Sequence, residues 1–177
     1  MNRPRPIARL LVAALAPLAP LAGCAADADR GYAFASAYRT DVRTVAAPIF
    51  DNLTYAHGIE ADLAEALVKE IHSRTPWRVV QGTAAETRLT GVITDVDLRK
   101  LTTNSDSGLV QEMAVSLVVS FEWKRSSTGE VLAARRDFSA SSTFVPARGA
   151  GERIAVGETN AVDRLARDIV ASLRSSW

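Results

Sequence analysis

Few side chains in this 177-residue chain are of the types that build catalytic or metal sites. A single cysteine, Cys24, excludes an internal disulfide framework and a thiolate zinc cluster. The two histidines, His57 and His72, have no second His or Cys at ligand spacing. Asp95 and Asp97 share one side of a strand-like run. A carboxylate pair can hydrolyse glycosides, but no acid–base partner accompanies this one, and surface charge is the better reading. There is no G-x-S-x-G elbow and no phosphate-binding loop. Gly149-Ala150-Gly151 opens like a dinucleotide fingerprint, yet Ile154 stands where the third glycine belongs and no βαβ unit follows. The expectation is therefore a non-enzyme with no cofactor and no metal. A formal net charge of +1 gives no reason to expect a nucleic-acid partner.

Cys24 has a chemistry of its own. Arg3, Arg5 and Arg9 form a positive start, and Leu10 to Leu21 is an apolar stretch interrupted by Pro17 and Pro20. That stretch is too short for a hydrocarbon core of ~30 Å. Small residues follow, as at a signal-peptidase site. Leu21-Ala22-Gly23-Cys24 resembles a bacterial lipobox, which implies cleavage before Cys24 and acylation of its thiol and new amine. Each buried CH₂ contributes ~0.8 kcal/mol, so several acyl chains anchor firmly. Residues 1–23 are read as a lipoprotein signal peptide, 24–30 as a short tether and 31–177 as one domain. Ala25, rather than Asp, after the cysteine points to the outer membrane, facing the periplasm.

The domain must be built from elements visible as periodicity. Val42 to Phe50 reads as a strand ended by Asp51-Asn52. Gly58 to Arg74 reads as a helix with Ile59, Leu63, Leu67 and Ile71 on one stripe, Ala66 beside them, and a Glu65–Lys69 surface pair. Pro76 stops it near Thr75. Trp77 to Gln81 is a short extended piece. Arg88 to Leu101 changes parity partway, which a bulge near Thr94-Asp95 reconciles. Leu109 to Lys124 alternates cleanly, with Met113, Val115, Leu117, Val119, Phe121 and Trp123 on the buried side. Val131 to Phe144 places Leu132, Ala134, Phe138 and Phe144 inward. Glu158 to Ser175 reads as a second helix with Val162, Leu165, Ile169 and Leu173 inward, its start capped by Asn160 and Asp163. The expected fold is α+β: a two-layer sandwich with two amphipathic helices on one face of a mixed, mostly antiparallel sheet of about four strands.

The ordered combination of these pieces resembles the lipopolysaccharide-assembly lipoprotein family, LptE. The resemblance rests on the lipobox, Gly31-Tyr32-Ala33-Phe34, and TVAAPIFDNLTYAHGIEADLAEALVKEIHSRTPWRVV at residues 44–80. Leu89-Thr90-Gly91 with Ile93, and Gly129-Glu130-Val131-Leu132, complete it. It implies a non-catalytic protein that binds and plugs an LptD-type outer-membrane β-barrel translocon and assists lipopolysaccharide assembly. A polar barrel lumen would suit a sheet face carrying Ala114, Ser116, Ser120, Ser139 and Ser141, although solvent would suit it as well.

Lipopolysaccharide carries phosphates, so basic side chains are natural contacts. Arg99 and Lys100 lie by the turn-rich Thr102–Gly108 stretch, and Lys124 and Arg125 by Ser126–Gly129. Either pair is a candidate for ligand or barrel contact, against the simpler reading that basic residues at turns keep sheet edges soluble. The rival function is a lipid-anchored auxiliary binding subunit of another envelope transport complex.

Overall fold

The computed structural model describes residues 37–103, 105, 110–146 and 154–174. Cys24, the 24–30 tether, Gly31-Tyr32-Ala33-Phe34, the Gly149-Ala150-Gly151 motif and Trp177 lie outside the described residues. The element order is β1 (Thr44–Ala46), β2 (Asp51–Asn52), α1 (Ile59–Arg74), β3 (Arg78–Val79), β4 (Thr87–Thr103), β5 (Val110–Arg125), β6 (Val131–Phe144) and α2 (Ile154–Ser172). The sheet has six strands in the order β3-β1-β4-β5-β6, with β2 also on β4. It is mixed: β1 runs parallel to β3 and β4, β2 runs parallel to β4, and the β4–β5 and β5–β6 pairs are antiparallel.

That corrects the expectation of about four mostly antiparallel strands. Two-residue strands such as β2 and β3 are too short to show a period. Within the expected strand over Val42 to Phe50 only Thr44–Ala46 is a strand, and Asp51-Asn52, expected to end it, is a second one; both pair with β4. Val45 and Ala46 face Thr87 and Arg88, and Asp51 and Asn52 face Val92 and Ile93. The first strand spends five residues from Ala46 to Asp51 where β4 spends four from Arg88 to Val92. The surplus falls in the unpaired stretch 47–50, where Pro48 has no N–H to give a ladder.

Helix α1 buries the predicted stripe Ile59, Leu63, Ala66, Leu67 and Ile71. It starts at Gly58, whose φ of 98° puts it in the left-handed region that glycine enters without a Cβ clash. It ends at Thr75, already extended before Pro76, where the Thr75 N–H and Oγ1 both donate to the Ile71 carbonyl. The ion pair on this helix is Glu70–Arg74, not the predicted Glu65–Lys69.

The bulge predicted near Thr94-Asp95 is present: the β4–β5 register slips between Ile93 and Asp95. On β5 every predicted inward residue from Val115 to Trp123 is buried. β6 departs from its predicted parity. Its register against β5 slips twice, and Asp137 sits at φ 51°. As a result Ala133, not Ala134, lies beside Trp123, whereas Phe138 and Ala140 lie beside Val119 and Leu117 as alternation requires. Leu132 is half-buried and Ala134 exposed.

Helix α2 begins at Ile154, earlier than predicted, so Asn160 is interior to the helix and does not cap it. Gly157 lies just outside the expected helix. In the fold it is a contact point: a Cβ there would meet Phe144 Cδ1 at 2.5 Å. The predicted inward residues Val162, Leu165, Ala166, Ile169, Val170 and Leu173 are all buried. They join α1, Leu89, Ile93 and the inward side of β5 in one core cluster. Both helices thus cover the same face of the sheet. The core centres on Trp77 and Trp123, with ring centroids 4.8 Å apart. Trp77 Nε1 donates to the Arg39 carbonyl at 2.9 Å, while Trp123 Nε1 is buried without a partner.

Candidate functional site: the open sheet face and its borders

The face of the sheet turned away from the helices is assembled by register. Across β5 and β4, Ser116 stands opposite Asp97, Val118 opposite Asp95, Ser120 opposite Val92 and Glu122 opposite Thr90. Across β5 and β6, Ala114 stands opposite Thr143, Ser116 opposite Ser141 and Val118 opposite Ser139. The small, polar residues that alternation assigned to one face therefore do share it. None of Ala114, Ser116, Val118 and Ser120 is buried.

One shallow hollow of about 390 Å³ indents this face. Its floor is Thr90, Gly91, Val92 and Ser120, with Asp51 on one flank and Arg135 and Arg136 on the other. Gly91 contributes only backbone to this floor, because it stands opposite Phe121 on the inward side of the sheet. A Cβ at that position would meet Phe50 Cε2 at 2.4 Å and the Ser120 carbonyl oxygen at 2.8 Å. The β6 bulge at Asp137 displaces the two arginines toward the hollow's rim. Nothing in the sequence periodicity signals this, because the bulge is visible only once two strands are paired.

The four basic candidates divide. Arg99 faces Ala114 across the ladder and Lys124 faces Arg88. Ten positions of β5 separate the two, or roughly 33 Å at ~3.3 Å per residue. They therefore belong to opposite ends of the sheet, as the turn order predicted. Arg99 is exposed and its Nε donates to Asp97, which raises the guanidinium pKa further. Lys100 is exposed and stands across from Met113, on the opposite face from Arg99. Lys124 pairs with Glu122. Arg125 is half-buried and shared between Asp41 at 2.8 Å and Glu130 at 3.3 Å.

Arg125 thus clips the β5–β6 hairpin to the segment before β1. Asp41 also accepts from Arg39 Nε at 3.1 Å. The guanidiniums of Arg39 and Arg125 hold its carboxyl down at about 2. Sequence reading missed Asp41, since no local pattern links it to a residue 84 positions away.

The second border of the open face is the turn from Ile49 to Tyr55. Phe50 points inward and is buried, whereas Ile49, Leu53 and Tyr55 point outward at 61%, 73% and 99% exposure. Asn52 holds this turn with every hydrogen-bonding group of its amide. Its Nδ2 donates to the Ala56 carbonyl and to Glu60 Oε2, both at 2.8 Å, and its Oδ1 accepts from the Thr54 N–H and Oγ1. The Leu53 N–H donates to the Ile93 carbonyl at 3.0 Å, extending the β2 pairing. Glu60 also accepts from the Gly58 N–H. Its own backbone N–H, the Asn52 amide and that Gly58 N–H lower its pKa, so it is anionic.

Among the described residues there is no cluster of His, Cys, Asp and Glu that could hold a metal ion. His57 is exposed, and His72 Nε2 accepts from the Val79 N–H at 3.4 Å. Asp97 is engaged by Arg99. No described helix is long and apolar enough to cross a membrane.

Two helices on one side of a six-stranded sheet, with the other side left open, define the class: a two-layer α+β domain with one uncovered sheet face. A family model described as LptE, lipopolysaccharide-assembly, matches residues 42–175, well over half of the chain. The chain belongs to that lipopolysaccharide-assembly lipoprotein family, a non-enzymatic family that works with the lipopolysaccharide-transport machinery.

No curated protein matches the sequence. Among solved structures, the chain is similar to PelC from Paraburkholderia phytofirmans, a dodecamer, at 15% identity and a TM-score of 0.48, covering 78% of this chain and 93% of that one. It is similar to a putative lipoprotein from Caulobacter crescentus at 17% identity and a TM-score of 0.47, covering 70% and 86%. It is also similar to the uncharacterized lipoprotein B of Nitrosomonas europaea at 18% identity and a TM-score of 0.48, covering 79% and 89%. Likeness at this level decides nothing about function.

Proposed function

We propose that this chain is an outer-membrane lipoprotein that binds and plugs an LptD-type β-barrel and so assists lipopolysaccharide assembly. On this reading residues 1–23 are removed, Cys24 is acylated, residues 24–30 tether the fold, and residues 31–177 face the periplasm. Family membership supports the general role. The observation that carries the docking step is the one-sided sheet: the helices cover one face and leave the other with Ser116, Ser120, Ser139 and Ser141 toward the outside. Short, uncharged, polar side chains let a second surface approach closely. They exchange hydrogen bonds with water for hydrogen bonds with a polar barrel interior at little net cost.

The basic residues contribute unequally. Lys100 is exposed at one end of the sheet and Arg99, paired with Asp97, is exposed beside it, which leaves them able to reach the phosphates of lipopolysaccharide or acidic groups of the barrel. Lys124 and Arg125 are already engaged with carboxylates, so they act first on the fold. Binding here is occlusion and scaffolding rather than turnover.

The test is purification of the chain at native level from detergent-solubilised membranes. The expected result is a β-barrel protein recovered in near-equal amount, and a Cys24→Ala variant that takes no fatty-acid label and leaves the membrane fraction. Recovery of the chain without any barrel would overturn the docking reading.

A further inference from the structure

The Ile49–Tyr55 turn has features that the open sheet face lacks. Large apolar side chains at 61%, 73% and 99% exposure normally signal either a loose loop or an interface. This turn is not loose: the Asn52 amide is saturated, and the Leu53 N–H is paired to β4. Leu53 and Tyr55 are therefore held out on a fixed backbone, and little ordering cost remains for a partner to meet. Aromatic side chains on such rigid supports dominate binding energy at protein interfaces.

The charges around the turn narrow the partner. Asp51 and Asp62 are exposed, and Glu60 is half-buried and anionic. With Arg135 and Arg136 across the hollow from Asp51, the border carries both signs, which matches a protein rim of mixed charge rather than the uniformly anionic phosphates of a bilayer surface. Asp51 also flanks the hollow on the open sheet face, so a body that covers that face reaches the turn without a gap.

We propose that Leu53 and Tyr55 are the apolar anchor of the docking surface, seated in a dry recess of the partner barrel, with the polar sheet face meeting its wet interior. This rests on the barrel-docking reading above and assigns the residues that hold the complex together.

The experiment uses the full-length lipoprotein in its native membrane. With Leu53→Ser and Tyr55→Ser combined, the barrel retained after detergent purification falls at least tenfold. The thermal midpoint of the isolated chain shifts by under about 3 °C, as for other exposed sites. A photo-crosslinking phenylalanine analogue placed at Tyr55 yields an adduct with the barrel. Unchanged retention in the double variant overturns the anchor while leaving the docking reading intact. An adduct with phospholipid, with a second copy or with this chain's own residues 25–36 also overturns it. A wild-type chain that retains no barrel overturns both.

Discussion

On the open sheet face, Ser116 lies between Ser141 and Asp97, and no side chain from Ala114 to Ser120 is larger than valine. At the neighbouring turn, Leu53 and Tyr55 stand almost free of the protein while Asn52 and Glu60 fix the backbone beneath them. The sheet face is flat and wet, and its rigidity comes from long antiparallel ladders. The turn is apolar and protruding, and its rigidity comes from one amide. Burial and flatness therefore do not define where a partner docks. A ladder tolerates changes to its side chains, whereas a turn held by a single residue loses its shape when that residue is lost.

The largest expected effect lies where the two regions touch. Gly91→Leu forces a side chain into the Phe50 ring and the Ser120 carbonyl, so Phe50 and the turn that follows it must shift. A loss of about 2–3 kcal/mol is expected in chemical denaturation, as for an overpacked core. Asn52→Ala comes next. It leaves the Ala56 carbonyl and Glu60 without their amide donor, and a loss of about 1–2 kcal/mol is expected. Hydrogen exchange should accelerate over residues 51–58 and stay unchanged along β5, and equal acceleration in both would erase the distinction drawn here.

A smaller effect comes from Gly58→Ala, which puts a Cβ on a backbone with φ 98° at the end of the same turn. About 1 kcal/mol is expected, read as a lower thermal midpoint. On the sheet face, Ser116→Thr should change stability by less than about 0.5 kcal/mol. A larger change would mean that this face is packed rather than open.

The smallest effect concerns acid. The folded pKa of Asp41, about 2, lies below its ordinary 3.8. The Arg39–Asp41–Arg125 cluster therefore contributes stability above about pH 4 and loses it as pH falls toward 2. Asp41 is half exposed, so solvent screens the cluster and the contribution is small. The stability gap between wild type and Asp41→Asn should close across that window, and a gap that persists at pH 2 would assign the difference to something other than charge.

Much of the fold is legible in the sequence where side chains repeat over several turns or several ladder steps. Leu63, Leu67, Ile71, Leu165 and Ile169 reveal the helices, and Val115 to Trp123 reveals β5, because one buried face imposes one period. The parity change at Thr94-Asp95 is legible for the same reason. The β6 slip is not, since Arg135, Arg136 and Asp137 before Phe138 are all charged and mark no face. The small residues of the open face follow from alternation. The turn does not: no periodicity assigns Leu53 and Tyr55 a side, and Asn52 reads as a strand terminator. Separating them requires knowing that Phe50 takes the inward place above Gly91. Asp41 and Arg125 meet only through the tertiary fold.

Strand β1 has a consequence for how the chain is made. It is three residues long, yet it lies between β3 and β4, both of which are encoded after it. As the polypeptide emerges N-terminus first, Thr44–Ala46 has no ladder to join until α1 has crossed over and Arg78 and Thr87 have arrived. The β4–β5–β6 meander, made later, needs only neighbouring hairpins to close. Completion of the sheet is thus an insertion of its earliest strand into a slot made by later ones. Agents that trap the nascent chain should find β1 exposed long after it has been synthesised.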